Sequence, residues 1–149
     1  MRKILAIIVC KSIRIIGKLV KRGSSLPGKI ALKIDPNILN KVKLPKYVIA
    51  VSGSNGKTST VEMIRQVLTR AGFKVAFNYE GSNQIEGITT LILEDVSLSG
   101  KCRSDVILME SDERYARLSF KELVPTHFVL TNLYRDQMTR NGNPEIIYS

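Results

Sequence analysis

Short apolar runs alternate along this chain with longer stretches in which apolar residues recur every three or four positions. Tyr47-Val48-Ile49-Ala50-Val51 is rich in β-branched residues and too short for a typical helix, so it predicts a buried strand. Thr58 to Ala71 predicts a helix, with Val61, Ile64, Val67 and Leu68 on one face and Gly72 ending it. Phe73–Phe77 predicts a strand, Ile85–Val96 a helix and Asp105–Met109 a further strand. Glu113–Leu123 predicts a helix stopped before Pro125, and Phe128–Thr131 a fourth strand. Strands alternating with helices of roughly ten residues imply βαβ units, hence an α/β fold whose parallel sheet is covered by helices on both faces. No internal repeat or low-complexity segment breaks the pattern.

Upstream the pattern is different. Ile4–Arg22 predicts a helix carrying Lys11, Arg14, Lys18 and Lys21 along one stripe, with Ile8, Ile15, Ile16 and Leu19 filling the opposite side. Met1-Arg2-Lys3 before an apolar run is also how a signal peptide begins. Here Lys11, Arg14 and Lys18 interrupt the run, and no small-residue cleavage site follows. Gly23-Ser24-Ser25-Leu26-Pro27-Gly28 has the composition of a linker, and Asp35-Pro36 has the form of a helix start. The expected organisation is a basic helical segment over residues 1–45 and an α/β unit over 46–149.

Charge sharpens that division. The net charge is +10, but residues 1–46 hold 12 Lys/Arg against the single acid Asp35. The rest of the 149-residue chain holds 11 Lys/Arg and 12 acids and is nearly neutral. The basicity therefore belongs to the N-terminal segment, and with no interleaved aromatics there, the chain is not read as a nucleic-acid binder. A basic helix of this kind suits packing on the core, packing on a domain outside the chain, or peripheral contact of residues 4–22 with an anionic membrane. No apolar run approaches the roughly 18 residues of a membrane-spanning helix. Cys10 and Cys102 have no paired spacing, which argues against a disulfide framework and fits a reducing cytoplasm. His127, among apolar residues, is expected to be a buried structural histidine.

The most informative chemistry lies between the first strand and its helix, in Gly53-Ser54-Asn55-Gly56-Lys57-Thr58-Ser59. Gly53 and Gly56 let the backbone turn so that several N–H groups face one polyphosphate. The start of the helix adds unpaired N–H donors and the positive end of its dipole. Lys57 is placed to reach the β- and γ-phosphates, and the Thr58 hydroxyl to ligate Mg²⁺. Val51 stands where the common G-x-x-x-x-G-K-[ST] pattern has its first glycine, so this is a shortened variant. The fold expectation thus becomes a P-loop-type parallel sheet that binds ATP.

This loop resembles that of the Mur ligase superfamily, which includes the folylpolyglutamate synthetases. Asn78-Tyr79-Glu80-Gly81-Ser82-Asn83 is similar to the family's N-x-x-G-x-N loop, and Thr131-Asn132-Leu133-Tyr134-Arg135-Asp136-Gln137 to its T-N-L-x-x-D-[HQ] segment. Glu110, in Glu110-Ser111-Asp112-Glu113, stands where the family places a magnesium-binding glutamate. Gln137 in place of the usual histidine, together with Leu26–Pro36, resembles the MurT-type subunits of lipid II isoglutaminyl synthase.

The resemblance implies an ATP-dependent carboxylate–amine ligase acting in peptidoglycan synthesis at the inner face of the cell membrane. It would amidate the D-glutamate of lipid II to D-isoglutamine, with ammonia from a GatD-type glutaminase. Lys57 and Glu110 would be catalytic, Thr58 and Glu110 would hold Mg²⁺, and residues 53–59 with Asn83 and Asn132 would bind ATP. The residues themselves leave alternatives open. Glu110 also suits a solvated loop, Asp112 and Glu113 suit helix N-terminal positions, and Asn83 and Asn132 suit turns. Asp136 and Gln137 suit the metal site only through water. The family's four-cysteine zinc ribbon and C-terminal domain have no counterpart in the chain, so a fragment with little activity alone is expected. Another Mur-type ligase, a folylpolyglutamate synthetase, or a non-catalytic nucleotide-binding module are the competing readings.

Overall fold

The computed structural model describes residues 1–19, 25–78, 84–111 and 123–132. Two helices come first, α1 (Arg2–Leu19) and α2 (Leu26–Ile34), followed by a 3₁₀ turn at Leu39–Lys41. The α/β part then runs β1 (Tyr47–Ser52), α3 (Lys57–Arg70), β2 (Val75–Phe77), α4 (Ile85–Asp95), β3 (Val106–Glu110) and β4 (His127–Leu130). All four strands pair in parallel in the order β2-β3-β1-β4. The predicted helix at Glu113–Leu123 falls almost wholly outside the described residues.

Strand alternation sorts the core into two layers, because successive side chains leave opposite faces of a sheet. Val48 and Ala50 of β1 and Ile107 and Met109 of β3 face one side, where α4 contributes Ile88, Ile92 and Leu93. Val51 and Leu108 face the other side and meet Val61 of α3. The first layer is the larger, since α1 adds Ala6, Ile7 and Cys10, and α2 adds Ala31. One continuous apolar core therefore draws on both the 1–45 and the 46–149 segments. Each fully buried Val, Leu, Ile or Met among them contributes roughly 1.5–3 kcal/mol.

Four expectations need correction. Leu26-Pro27-Gly28 is no linker: Pro27 lies in the first turn of α2, where its missing N–H costs nothing. Asp35-Pro36 starts no helix, because Asp35 is the C-cap of α2 and its buried carboxylate takes the Lys41 ammonium at 2.6 and 2.7 Å. Val67 of α3 is 66% exposed, so only part of the expected apolar face of that helix is covered. His127 is exposed, its Nδ1 3.0 Å from the Thr126 hydroxyl. Its strand, β4, pairs only with β1 among the described residues, so Phe128 and Leu130 are also half exposed.

α1 is amphipathic, and it packs on the core through a face that the sequence reading did not single out. Ala6, Ile7 and Cys10 are buried, while Ile8, Ile15 and Ile16 face outward. Lys11 and Arg14 turn toward the end of α4. The Lys11 ammonium donates to the Glu94 carbonyl at 2.7 Å, and Arg14 Nε to the Glu94 carboxylate at 3.1 Å. Cations at a helix C-terminus are favoured by its unpaired carbonyls and dipole.

Gly28 sets how closely α2 approaches α4. Its N–H donates to the Thr90 hydroxyl at 2.8 Å, and a Cβ there would overlap the Glu86 carbonyl oxygen and lie 2.7 Å from Thr90 Oγ1. Only a glycine allows that contact.

Candidate functional site

The carboxyl ends of all four strands converge. β1 runs into Gly53–Gly56 and then α3, β2 ends beside Asn78, β3 ends in Glu110-Ser111, and β4 ends in Thr131-Asn132. Chain order reverses across β1: β2 and β3 lie to one side of it and β4 to the other. Loops leaving such a reversal point diverge, and the crevice between them is where open parallel sheets bind ligands.

Gly53 has φ 135° and Gly56 has φ 81°, conformations that side chains rarely adopt. Together they turn the chain from β1 into α3, with Gly56 as a left-handed N-cap that offers no side-chain acceptor to the helix start. The start of α3 therefore takes no cap from the side chain of its N-cap residue. Asn55, Gly56, Thr58 and Ser59 are exposed, Ser54 and Lys57 are half-buried, and Gly53 is buried. The loop is open to solvent at its tip and anchored at its base.

The anchor is the end of β4. Ser54 N donates to the Asn132 carbonyl at 3.0 Å, and Asn55 N donates to Asn132 Oδ1 at 2.9 Å. Asn132 Nδ2 returns a bond to the Asn55 carbonyl at 3.0 Å. Thr131 adds its hydroxyl to the same Asn55 carbonyl at 2.8 Å and to the Ser52 carbonyl at 3.2 Å. Asn132 thus braces the loop as a strand would, through both halves of its amide. A Cβ on Gly53 would overlap the Thr131 hydroxyl and lie 2.8 Å from the Asn132 carbonyl oxygen.

Opposite the brace, the Thr58 hydroxyl donates to Glu110 Oε2 at 2.9 Å. Glu110 is buried at the end of β3, held by its own N–H to Asn78 Oδ1 at 3.2 Å, while Ser111 N bonds the Val51 carbonyl at 2.9 Å. The Lys57 ammonium folds onto the loop and donates to the carbonyls of Gly53 and Ser54. A hydroxyl, a carboxylate, an ammonium and a row of backbone N–H groups are thus gathered within one bend of chain. The buried hydroxyls of Ser52 and Ser111, flanking this bend at the ends of β1 and β3, have no partner among the described residues.

This geometry is that of an anion cradle beside an oxygen-ligand pair, and its family follows from comparison. The Mur ligase middle domain matches residues 51–148, which begin at the last turn of β1 into the loop. The chain belongs to the Mur ligase family. It is 35% identical over 144 residues to the lipid II isoglutaminyl synthase (glutamine-hydrolyzing) subunit MurT of Staphylococcus aureus (strain COL), covering 96% of this chain and 31% of that protein. It is 36% identical over 128 residues to the MurT subunit of Streptococcus pneumoniae (strain ATCC BAA-255 / R6), covering 86% and 28%. A UDP-N-acetylmuramate–L-alanine ligase of Myxococcus xanthus is 31% identical over 104 residues, covering 70% and 20%. The chain spans about a third of the length of the MurT relatives it matches.

Among the site residues expected of a Mur ligase, the structure brings together Gly53 to Ser59, Glu110 and Asn132. Asn83, Asp112, Glu113, Asp136 and Gln137 lie outside the described residues. Sequence reasoning assigned no role to Thr131 or Asn78, although both stand in the quoted motifs. Their signal is positional: a short polar side chain directly after a strand in a parallel sheet is poised to bond the neighbouring loop.

A separate cleft of about 420 Å³ lies at the opposite, amino-terminal end of β1 and β3, lined by Lys43, Tyr47, Phe73, Lys101, Arg103 and Asp105. It is remote from the loop and shares no residue with it. No three His, Cys, Asp or Glu side chains cluster as a metal site among the described residues. Mg²⁺ with a nucleotide does not need such a cluster, because phosphate and water supply most of its ligands.

Proposed function

We propose that this chain is the ATP-binding part of an ATP-dependent carboxylate–amine ligase of the MurT type, amidating the D-glutamate of lipid II with ammonia from a glutaminase partner. The observation that carries the nucleotide reading is the Thr58–Glu110 pair at 2.9 Å beside an exposed loop of backbone donors. A hydroxyl and a buried carboxylate are hard oxygen ligands of the kind Mg²⁺ takes, and two suffice when phosphates complete the shell. The orphaned hydroxyls of Ser52 and Ser111 beside the loop also fit a site built around a polar ligand.

In this reading the backbone N–H groups from Gly56 to Ser59, at the start of α3, receive the phosphates, while those of Ser54 and Asn55 stay bonded to Asn132. Lys57 exchanges its loop carbonyls for the β- and γ-phosphate oxygens, and Thr58 and Glu110 would hold a Mg²⁺, which would supply positive charge beside the transferring phosphoryl group. Asn132 and Thr131 keep the loop in shape. The γ-phosphoryl group passes to the carboxylate of the acceptor, releasing ADP. Ammonia then displaces phosphate from the acyl carbon, leaving the amide. Loop donors and Lys57 serve the first of these steps.

The glutaminase and the lipid II acceptor come from the likeness to subunits of a glutamine-hydrolyzing lipid II isoglutaminyl synthase. On this reading the need for ATP and for a lipid-borne precursor would put the reaction in the cytoplasm at the membrane. Asp136 and Gln137 are proposed to approach the metal through water, and Asn83 to contact the nucleotide.

Equilibrium binding of Mg-ATP by calorimetry, with Lys57→Ala beside the parent chain, tests this reading. Loss of an ammonium that pairs with phosphate weakens binding on the order of tenfold or more. Equal affinity in the variant, or no saturable binding by the parent chain, removes the nucleotide reading.

A further inference from the structure

α1 buries one side and leaves the other uncovered. At roughly 100° per residue, Ile4, Leu5, Ile8, Ser12, Ile15 and Ile16 share one arc of about 120°. Ser12 is its single polar member. All six are exposed, Ile15 by 64% and Ile16 by 60%. Scattered surface isoleucines are ordinary, but five aliphatic side chains aligned over four turns form a contiguous apolar strip.

The N-terminal segment that carries this strip is cationic, with 12 Lys/Arg against one acid over residues 1–46. Arg2 is exposed on α1 itself. Lys3 donates to the Ser99 carbonyl at 2.9 Å, which brings the loop Ser97–Lys101 against the start of the helix. Lys43 N bonds the Gly100 carbonyl at 2.7 Å and Lys43 bridges to Lys101, so two further exposed lysines stand at that end. On α2, which packs along α1, Lys29 and Lys33 are exposed. The only acid in residues 1–46 is Asp35, and it is buried against Lys41. Glu94, at the end of α4 that α1 reaches, is paired with Arg14.

We propose that this face of α1 docks on an anionic lipid bilayer, with the isoleucines seated at the headgroup–acyl boundary and the lysines and arginine against lipid phosphates. An exposed apolar strip on a segment whose 12 Lys/Arg face a single, buried acid matches that surface in both chemistry and charge. A second copy of the chain is disfavoured as occupant, because pairing two such faces sets cations against cations. Nucleic acid would meet isoleucines where it needs stacking rings or further cations. The inference rests on α1 and its rim alone and is independent of nucleotide binding.

The test is sedimentation of the whole chain with vesicles of equal phosphatidylglycerol and phosphatidylcholine, beside vesicles of phosphatidylcholine alone. The chain is expected to pellet with the anionic vesicles and to be released as salt is raised. The double variant Ile8→Glu/Ile15→Glu is expected to bind on the order of tenfold more weakly with unchanged far-UV circular dichroism. Should that variant lose helicity, Ile15→Ser/Ile16→Ser at the most exposed positions gives the same reading. No pelleting of the parent chain, equal pelleting on neutral vesicles, or undiminished binding by a folded variant overturns the proposal. So does a lipid-free dimer, seen by light scattering and dispersed by these substitutions, in a chain that does not bind vesicles.

Discussion

The Thr58 hydroxyl stands 2.9 Å from Glu110 Oε2, joining the first turn of α3 to the end of β3 across 52 residues of sequence. Both groups carry oxygens of the kind a divalent ion takes, and on the proposed reading they would hold one that also meets phosphate. The hydroxyl proton satisfies the buried carboxylate.

Thr58→Val keeps the shape of the side chain and removes that hydroxyl. Mg-ATP affinity is expected to fall by about tenfold to a hundredfold, while affinity for metal-free ATP changes little. Titrations with Mg²⁺ and with excess chelator separate the two. Equal loss under both conditions excludes a metal role for Thr58.

The two loop glycines are expected to respond differently. Gly53→Ala places a methyl against the Thr131 hydroxyl and the Asn132 carbonyl at a φ of 135°, so strain and overlap add. A loss of about 3 kcal/mol is expected, together with loss of nucleotide binding. At Gly56 a Cβ would meet nothing within 4 Å, so Gly56→Ala carries only the left-handed backbone cost of about 1 kcal/mol. Gly56→Asn should cost less still. Urea unfolding of the three variants gives the ranking, and equal effects at both glycines contradict it.

Gly28→Ala drives a methyl into the backbone of α4 at Glu86. Backbone cannot swing aside as a side chain does, so a destabilisation of about 2–3 kcal/mol is expected. The N-terminal helices should release first, seen as faster amide exchange in α1 and α2 than in β1 and β3. Uniform loss of protection throughout would show that the two parts unfold as one.

Burial pushes the thiols of Cys10 and Cys102 up from 9.0 to about 12. Glu94 adds to the effect at Cys10, and Asp95 at Cys102. The folded chain holds these protons to higher pH than the unfolded chain. Stability from this source is thus fully present below pH 9 and declines between pH 9 and about 12. Thiol-specific alkylation at pH 8 should modify neither cysteine until denaturant is added. Modification of either residue in the native chain would contradict this burial.

The two halves of the chain were not equally legible. β1, α3 and the loop between them stand within a residue or two of where periodicity puts them, because strand, turn and helix there are each determined by neighbours in sequence. The 26–36 stretch misled, since Pro27 and Pro36 are equivalent as local signals. Only the fit of Gly28 against α4 decides that the helix begins at the first of them. His127 and Val67 misled for another reason. An apolar neighbourhood in sequence says nothing of which element covers a given face, and β4 is an edge among the described residues.

The sequence by itself determined the parallel α/β arrangement, the phosphate-type loop and the family to which it belongs, because these follow from periodicity and from a run of contiguous residues. Tertiary structure alone decided that Asn132 and Thr131 brace that loop, and that Glu110 meets Thr58. It also decided that α1 turns its isoleucines outward while its basic stripe reaches α4. Each of these joins positions that only the crossing of strands and helices brings within bonding distance, and no local propensity encodes which residue will be there.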